Sequence, residues 1–303
     1  MDTIKADHII EHNLLAGNEA LSKQLNSDVM ILAAPMFIGI DDVVRDEVES
    51  IVEALAEGEK PHEKLTVILE TDGGYIETVE RIVSVFRRHY QEVDFIIPNF
   101  AYSAGTVLAL SGDNIYMDYY SVLGPIDPQF KTESGETVPG MGYIAQYKDL
   151  LEKINSVPED QTSTVKAELA FLLKRFDPAK LFNIEQAIEH SRDLIREWLP
   201  KYKFKDWKKT ANKGAKVDAK YKRERADKIA EMLGDAAHWH SHGRGISMKE
   251  LLSDKIGLLI KDFGADPKLN SNVRHYYGLF SDYIRVQGCR SAVHTGLRLR
   301  RIG

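Results

Sequence analysis

A serine in a run of small residues is the first feature of this chain that could do chemistry. Ser103 lies in Ala101-Tyr102-Ser103-Ala104-Gly105-Thr106, shortly after the apolar run 93–98. A serine at a turn into a helix can act as a nucleophile, because free backbone N–H groups and the positive helix end can hold an oxyanion. The amide of Ala104 is one candidate oxyanion donor. Taken alone, the turn also fits a helix-packing turn with a capping serine.

A second turn of small residues follows the preceding apolar run. Asp72-Gly73-Gly74 comes directly after 65–71. Adjacent strand ends of a parallel sheet lie side by side, and glycine lets the backbone approach a ligand closely. We therefore predict that Gly74 supplies the second oxyanion donor and that the two turns form one site.

The elements that must position these turns alternate between strands and helices. The runs 29–36, 65–71 and 93–98 are apolar along most of their length rather than alternating, and each is followed by a turn and a helical pattern. Such strands are buried on both faces, and their alternation with helices indicates βαβ units. The sequence therefore predicts an α/β fold with a mostly parallel sheet.

The later part of the chain changes character. Long helical patterns run over 143–199. A helix led by Ser247 with a capping box is predicted to end at Gly257, before a strand at 258–260. From residue 266 onwards, no hydrophobic periodicity is strong enough to predict a helix or a strand. The predicted organisation is an N-terminal arm (1–28), a catalytic core (29–142), a helical insertion (143–235) with a basic segment (200–228), a return to the core (236–263) and a C-terminal tail (264–303).

Three motifs taken together resemble the ClpP/crotonase superfamily. They are Thr71-Asp72-Gly73-Gly74, then Tyr102-Ser103-Ala104-Gly105-Thr106, then the stretch 121–129 (SVLGPIDPQ). Within it the chain is most similar to the SppA-like serine peptidases, which include the serine dehydrogenase proteinase family and archaeal membrane-associated peptidases. The resemblance covers about 29–130 and resumes at 143–154 and 246–260. It implies a spiral of βα units, peptide hydrolysis through an acyl-enzyme, a peptide or unfolded-protein substrate, and a homo-oligomer.

The general base follows from the same resemblance. ClpP uses a histidine from the stretch that corresponds to 124–128, which contains none here. The segment 142–151 instead resembles the helix that carries a catalytic lysine in the archaeal group, which makes Lys148 the candidate base. Burial beside Tyr143 and Ile144 would lower the pKa of such a lysine, whereas an exposed helix lysine next to Asp149 is the alternative.

A histidine cluster and one aspartate are further candidates. His240 or His242 of His238-Trp239-His240-Ser241-His242 could act as the base or orient it. Three imidazoles on one strand face could also bind zinc, although ordinary surface histidines are the favoured interpretation and no metal or other cofactor is predicted. Asp127 of the Ile-Asp-Pro turn is expected to cap that turn, with an assisting role as the alternative.

Composition limits the remaining functions. The net charge of −6 over 303 residues with 28% charged residues does not demand an anionic partner. Cys289 is the only cysteine, which excludes an intramolecular disulfide and fits a reducing compartment. The apolar run 29–40 is too short to cross a bilayer and 1–8 does not resemble a signal peptide, so we expect a cytoplasmic protein without a transmembrane segment.

The basic segment 200–228 permits a separate contact. Its lysines are interleaved with Tyr202, Phe204 and Trp207, which could contact nucleic acid or a membrane surface. A solvated face is the alternative.

The expected function is a serine peptidase with Ser103 as nucleophile and Lys148 as base. A crotonase-type acyl-CoA enzyme would use the same two backbone donors, but the Ser-Ala-Gly turn and a suitably placed lysine argue against it. A catalytically inactive scaffold or interaction protein of the same fold is the other alternative.

Overall fold

A computed structural model describes residues 6–56, 62–131, 135, 137–157, 162–210, 214–239, 241 and 243–302. Its strands are, in chain order, β1 (Asp28–Ala33), β2 (Lys64–Glu70), β3 (Glu92–Ile96), β4 (Phe100–Ala101), β5 (Asn114–Met117), β6 (Val122–Leu123), β7 (Gln129–Lys131), β8 (Thr137–Pro139), β9 (Ile246–Ser247), β10 (Lys261–Asp262), β11 (Ser291–His294) and β12 (Leu299–Ile302). Its α-helices are α1 (Ala6–Leu25), α2 (Ile40–Ala56), α3 (Ile76–His89), α4 (Ala104–Leu110), α5 (Gly140–Ser156), α6 (Thr162–Leu173), α7 (Pro178–Lys201), α8 (Ala219–Leu233), α9 (Ala236–Trp239), α10 (Met248–Leu252) and α11 (Pro267–Val286).

The main sheet is largely parallel. Its order is β10-β5-β3-β2-β1-β11-β12, with parallel pairing from β10 to β1. The last two strands pair antiparallel, so that Ile31 of β1 lies opposite Ile68 of β2 on one side and His294 of β11 on the other. The predicted α/β class with a mostly parallel sheet is therefore confirmed.

Both faces of this sheet are covered by helices, which explains the strands that are mostly apolar rather than alternating. Met30 and Leu32 belong to a core shared with α2, α3, α4, α7 and α8. Val29 and Ile31 point to the opposite face, into a second core shared with α1 and α11. Successive strand residues face opposite sides of a sheet. Because helices cover both sides here, both alternating sets of strand side chains are mostly apolar.

Both chain ends join this architecture. The described part of the predicted arm is the helix α1, and the segment predicted as a tail contains α11 and the edge strands β11 and β12. The helix α11 begins with Pro267, and the side chain of Asp266 caps it by accepting from the amides of Lys268 and Leu269. Its buried face mixes tyrosines with aliphatic residues, which obscured the helical period in the sequence.

In sequence, the helices α5 to α8 separate the first part of the core from the segment that returns to it. The small sheet β4-β6-β9 adjoins it, and the capping box predicted at Ser247 is present. The helix led by Ser247 ends at Leu252 rather than Gly257, and the returning strand is Lys261–Asp262 rather than 258–260. Of the helices in the described ranges, none is both long and apolar enough to span a membrane.

Candidate active site

Ser103 occupies a strained turn between β4 and α4. Its φ of 51° and ψ of −120° lie outside the conformations that residues with a side chain normally adopt. The amide of Gly105 donates to Tyr102 O (2.8 Å) and that of Thr106 to Ser103 O (2.9 Å). The amide of Ala104, the first residue of α4, has no hydrogen-bond partner among the described residues. One N–H group at the start of the helix thus remains available beside the hydroxyl-bearing residue.

The turn at Gly73 and Gly74 packs directly against the Ser103 turn. Both glycines have positive φ, 93° and 144°. A Cβ on Gly73 would lie 2.8 Å from Ser103 Cβ and 3.2 Å from Ala104 N, so only glycine fits between them. Gly73 O accepts from the amide of Met36 (2.7 Å), whereas the amide of Gly74 has no partner within the part of the chain that the structure describes.

The stretch 121–129 packs against the Ser103 turn and holds it by hydrogen bonds. The Gly124 amide donates to Ala101 O (2.9 Å), and the Thr106 hydroxyl bonds to both Ala101 O (2.8 Å) and Gly124 O (2.9 Å). A Cβ on Gly124 would lie 2.4 Å from Tyr102 Cδ1. These contacts give the third motif of the sequence a structural role, because they hold the residues on both sides of Ser103.

A cleft of about 500 Å³ opens over these turns. The two turns and 126–129 form most of it, and its lining consists of Asp72, Gly73, Gly74, Tyr75, Ile76, Glu77, Ser103, Ala104, Ile126, Pro128, Gln129, Ala187 and Ser191. Ala187 and Ser191 come from α7, so the helical part of the chain builds one wall. Sequence reasoning missed this wall, because two small residues on a long amphipathic helix carry no signal of their own.

Lys148 does not line this cleft. It lies on α5, is exposed, and lines a separate cavity of about 410 Å³ together with Ile144, Glu185 and Glu189. The burial beside Tyr143 and Ile144 that the sequence argument assumed for this lysine is therefore absent from the described conformation.

Of the other predicted assistants, the structure describes only Asp127. His240 and His242 lie outside the described residues. Asp127 is buried (1% exposed) between Ile126 and Pro128, which do line the cleft. Among the described residues no group of three or more histidine, cysteine, aspartate or glutamate side chains is arranged to hold a metal ion.

The basic segment lies away from the cleft, at the junction of α7 and α8. Of its aromatic residues, Phe204 is buried, and the half-buried Trp207 ring packs between Phe204 and the exposed Tyr221 at centroid distances of 5.3 and 5.5 Å. Lys205 forms an ion pair with Asp113 (2.6 Å). The exposed cations that remain include Lys208, Lys209, Lys216, Lys220 and Arg223.

Comparisons with known proteins agree with the sequence motifs. Residues 23–150 match the family described as ClpP-like SDH-type serine proteinase. Two uncharacterized proteins of Methanocaldococcus jannaschii are similar: one is 38% identical over 93 residues, which is 31% of this chain and 30% of the relative, and the other is 26% identical over 231 residues, which is 76% and 60%. The chain thus spans less than two thirds of either relative.

Solved structures show a looser likeness. A variant of the 1510-N membrane-bound stomatin-specific protease has a TM-score of 0.43 and 14% identity, with 81% of this chain and 83% of that chain covered. The ClpP catalytic domain from Plasmodium falciparum has a TM-score of 0.31 and 12% identity, with 41% and 63% covered. Residues 23–150, which contain both turns of the cleft, are thus similar to the ClpP-like SDH-type serine proteinase family.

Proposed function

We propose that this protein is an SppA-like serine peptidase, which cleaves peptide bonds through an acyl-enzyme on Ser103 with Lys148 as general base. One observation carries the proposal. Ser103 is held at a strained turn at the start of α4, against the Gly73 turn and facing an open cleft. Strained conformations of this kind persist where surrounding contacts enforce them, and they concentrate at active sites.

The proposed reaction begins with a proton transfer. Ser103 Oγ gives its proton to the neutral amine of Lys148 and forms a bond to the carbonyl carbon of the scissile peptide. The amides of Gly74 and Ala104 hold the negative oxygen, and the protonated Lys148 then gives the proton to the departing amine as the C–N bond breaks. A water molecule, deprotonated by the same lysine, attacks the ester carbon. The bond to Ser103 Oγ then breaks, the lysine returns the proton to Ser103, and the second peptide fragment leaves.

Lys148 must reach the cleft for this reaction. Its helix is tied to the cleft, because Gln129 lines the cleft and begins the β7–β8 hairpin that leads into α5. The amide of Gly140, where α5 begins, donates to Pro128 O (2.7 Å). We propose that α5 pivots about this attachment when substrate binds, so that the lysine amine meets the Ser103 hydroxyl.

Labelling with a fluorophosphonate tests the nucleophile. This reagent phosphonylates an activated serine, because the serine Oγ forms a bond to phosphorus as the P–F bond breaks. We therefore expect one label per chain, on Ser103, and none in Ser103→Ala. A wild-type protein that stays unlabelled across the range from about pH 6 to about pH 9 would overturn the peptidase proposal and favour the scaffold alternative. A thermal shift produced by acyl-CoA but not by peptides would favour the crotonase alternative.

Paired lysine variants test the base. Lys148→Met should slow labelling by about 100-fold or more, since a positioned base contributes about that factor. Lys153→Met is the matched control: Lys153 is exposed on the same helix and pairs with Asp149 (2.6 Å). Equal rates in the two variants would remove Lys148 from the mechanism and direct attention to His240 and His242.

The substrate and the assembly are further parts of the proposal. A peptide or unfolded protein is the proposed substrate, and a cytoplasmic homo-oligomer the proposed form. Cleavage of an unfolded protein compared with the same protein folded tests the first point. The mass in solution tests the second, and a strictly monomeric, active enzyme would contradict it.

We also propose an anionic ligand, RNA or lipid headgroups, for the basic segment 200–228. Because Phe204 is buried and Trp207 packs between it and Tyr221, charge rather than stacking would carry the contact. Binding to single-stranded RNA and to anionic vesicles at low salt should weaken in Lys208→Gln/Lys209→Gln and with rising salt. The control, Lys249→Gln/Lys268→Gln, changes two exposed lysines elsewhere. Absence of binding to both ligands would leave a solvated surface.

A further inference from the structure

The C-terminal helix α11 touches the segments that build the cleft, from the opposite face of the sheet. The Tyr277 hydroxyl donates to the carboxylate of Glu70, and Asn99 Nδ2 donates to the same oxygen (2.8 Å). Glu70 is the last residue of β2, immediately before the turn that contains Gly73. Asn99 lies shortly before Ser103. One carboxylate oxygen of Glu70 thus ties α11 to the segments that lead into both turns.

Arg274, one helical turn earlier on the same face of α11, makes the second attachment. Its guanidinium donates to Pro98 O (2.6 Å) and forms an ion pair with Asp118. The other oxygen of Asp118 accepts from the amides of Tyr120 (2.9 Å) and Ser121 (3.1 Å). Arg274 therefore connects the segment before Ser103 to the start of the stretch that supports it.

These attachments act on backbone that runs directly to the reacting groups. The Thr71 amide donates to Phe100 O (3.2 Å), and the Tyr102 amide donates to Thr71 O (2.9 Å). A shift of Glu70 or Asn99 is therefore transmitted within a few bonds to the Gly73 turn and to Ser103. The sheet hydrogen bonds fix the two segments side by side, while Glu70, Asn99 and Tyr277 fix where that pair sits on the molecule.

The electrostatic state of both attachments suits this task. Burial, followed by the negative charge of Glu70, raises the pKa of Tyr277, so its hydroxyl keeps the proton that it donates. Burial alone would raise the pKa of Asp118, but Arg274 and the amide of Tyr120 outweigh it and lower that pKa. Asp118 therefore stays ionised and paired at neutral pH.

We propose that Tyr277 and Arg274 are positioning residues for the reaction at Ser103: from outside the cleft they hold the Gly73 turn and the Ser103 turn in productive register. This role rests on the proposed peptidase function. The two side chains touch neither the cleft nor the reacting atoms, and they act through Glu70, Asn99, Pro98 and Asp118. Misplacement of a reacting group by about 1 Å costs up to about 100-fold in rate, which makes such support consequential.

The test compares two hydroxyl deletions on one helix. Tyr277→Phe removes the hydroxyl that donates to Glu70, and Tyr283→Phe removes a hydroxyl that accepts from Arg301 (3.2 Å). We expect Tyr277→Phe to lower the maximal rate at which a fluorophosphonate labels Ser103 about ten-fold, with reagent affinity within about two-fold of wild type. Tyr283→Phe should match wild type in both constants.

A conservative arginine variant provides the second arm. Arg274→Lys keeps a positive charge beside Asp118 but cannot reach both of its partners with a planar fork. The rate at which the fluorophosphonate labels this variant should fall between the rates of wild type and Tyr277→Phe. The matched control is Arg285→Lys, which changes an exposed arginine paired with Asp282 on the same helix.

Amide hydrogen exchange makes the test independent of catalysis. In Tyr277→Phe the segments 70–76 and 98–104 should exchange about ten-fold faster, while α1 and the far end of α11 keep wild-type protection. If the fluorophosphonate never labels the wild-type protein, the peptidase proposal fails. The hydrogen-exchange pattern still decides whether Tyr277 positions the two turns. Wild-type exchange in both segments, or equal effects of Tyr277→Phe and Tyr283→Phe, would overturn it.

Discussion

At the scale of single residues, the cleft is built from close backbone contacts that only particular side chains permit. Ser103 has φ of 51° and carries a side chain, a conformation that costs about 1–3 kcal/mol. Gly73 and Gly124 allow the approach of neighbouring turns from two sides. The strain at Ser103 is thus held by its surroundings, so a side chain added at one of these glycines should displace the nucleophile.

Gly73→Ala should impair the cleft more than it destabilises the fold. The new Cβ would lie 2.7 Å from Tyr102 O and 2.8 Å from Ser103 Cβ, so the turns must separate. We expect labelling of Ser103 by the fluorophosphonate to slow by more than about ten-fold, and the free energy of unfolding to fall by about 1–3 kcal/mol. Gly39→Ala is the control, because Gly39 also has positive φ (102°) but no atom lies within 4 Å of its Cβ position. A slowed reaction in Gly39→Ala of the same size would show that backbone strain, not collision, is responsible.

His294 should make stability depend on pH. Burial lowers the pKa of His294 to about 4 in the folded protein, and the ring meets the Tyr276 hydroxyl at 2.5 Å. Between that pKa and the ordinary histidine value near 6.5 the unfolded chain binds the extra proton, so stability falls as the pH falls. The free energy of unfolding should drop by about 2 kcal/mol from about pH 7.5 to about pH 5 because of this residue.

Denaturant unfolding of His294→Gln at the two pH values measures that contribution. The variant starts less stable than wild type, but its loss on acidification should be smaller by about the same 2 kcal/mol. His275→Gln, at an exposed position of α11, should keep the wild-type pH dependence. An unchanged loss in His294→Gln would contradict the buried neutral state of this ring.

At the scale of secondary-structure elements, α7 links the cleft to the far side of the core. Ala187 and Ser191 line the cleft, and Trp198, two turns further along the same helix, is buried in the larger core. Directly after α7, Lys205 reaches the carboxylate of Asp113 (2.6 Å). The position of one cleft wall therefore depends on contacts made well beyond the cleft.

Asp113 is where several of these elements are joined. Its side chain, 3% exposed, accepts from Arg87 of α3 (2.7 Å), from the Val93 amide of β3 (2.8 Å) and from Lys205. Burial would raise the pKa of Asp113, but these donors outweigh it and lower that pKa. The carboxylate is therefore ionised, and its removal takes a charged partner from the largely buried Arg87 and from the exposed Lys205.

Asp113→Asn should accordingly lower the free energy of unfolding by about 3 kcal/mol, as for other buried pairs that lose one partner. The matched change Asp282→Asn breaks an exposed pair with Arg285 and should cost less than about 1 kcal/mol. Chemical denaturation at neutral pH compares the two. A cost for Asp113→Asn no larger than that for Asp282→Asn would show that the network adds little to stability.

At the scale of the whole molecule, the fold is a sheet enclosed between two helical layers. One layer contains α2, α3, α4, α7 and α8, and the other contains α1 and α11. The second layer comes from the two ends of the chain, far apart in sequence. It covers Val29, Ile31 and Ile68, which would otherwise face water.

The segment that carries the family match should therefore not fold alone. Residues 23–150 lack α11, α7, α8 and nearly all of α1, so both faces of the sheet lose part of their cover. We expect this fragment to bind hydrophobic dyes and to unfold without a cooperative transition, whereas 6–302 unfolds cooperatively. Circular dichroism and dye binding on the two proteins make the comparison. A fragment with a sharp transition near the Tm of 6–302 would contradict this division of the core.

The sequence by itself determined the local features of this protein. Strands that are mostly apolar rather than alternating specify burial on both faces, and the helix that follows each strand specifies parallel pairing. The turns at Gly73 and Ser103 were predicted to form one site because each follows a strand pattern, and adjacent strand ends of a parallel sheet lie side by side. These signals depend on neighbours within a few positions, so no knowledge of the distant chain was needed.

Only the tertiary structure decided which distant segments meet at the cleft and behind it. The wall from α7, the attachments made by Tyr277 and Arg274, and the exposed position of Lys148 all depend on how helices pack across the sheet. Such contacts join residues separated by a hundred or more positions, for example Tyr277 and Glu70. Packing is decided by the shape and volume of whole faces rather than by any short pattern, so no local reading of the sequence contains it.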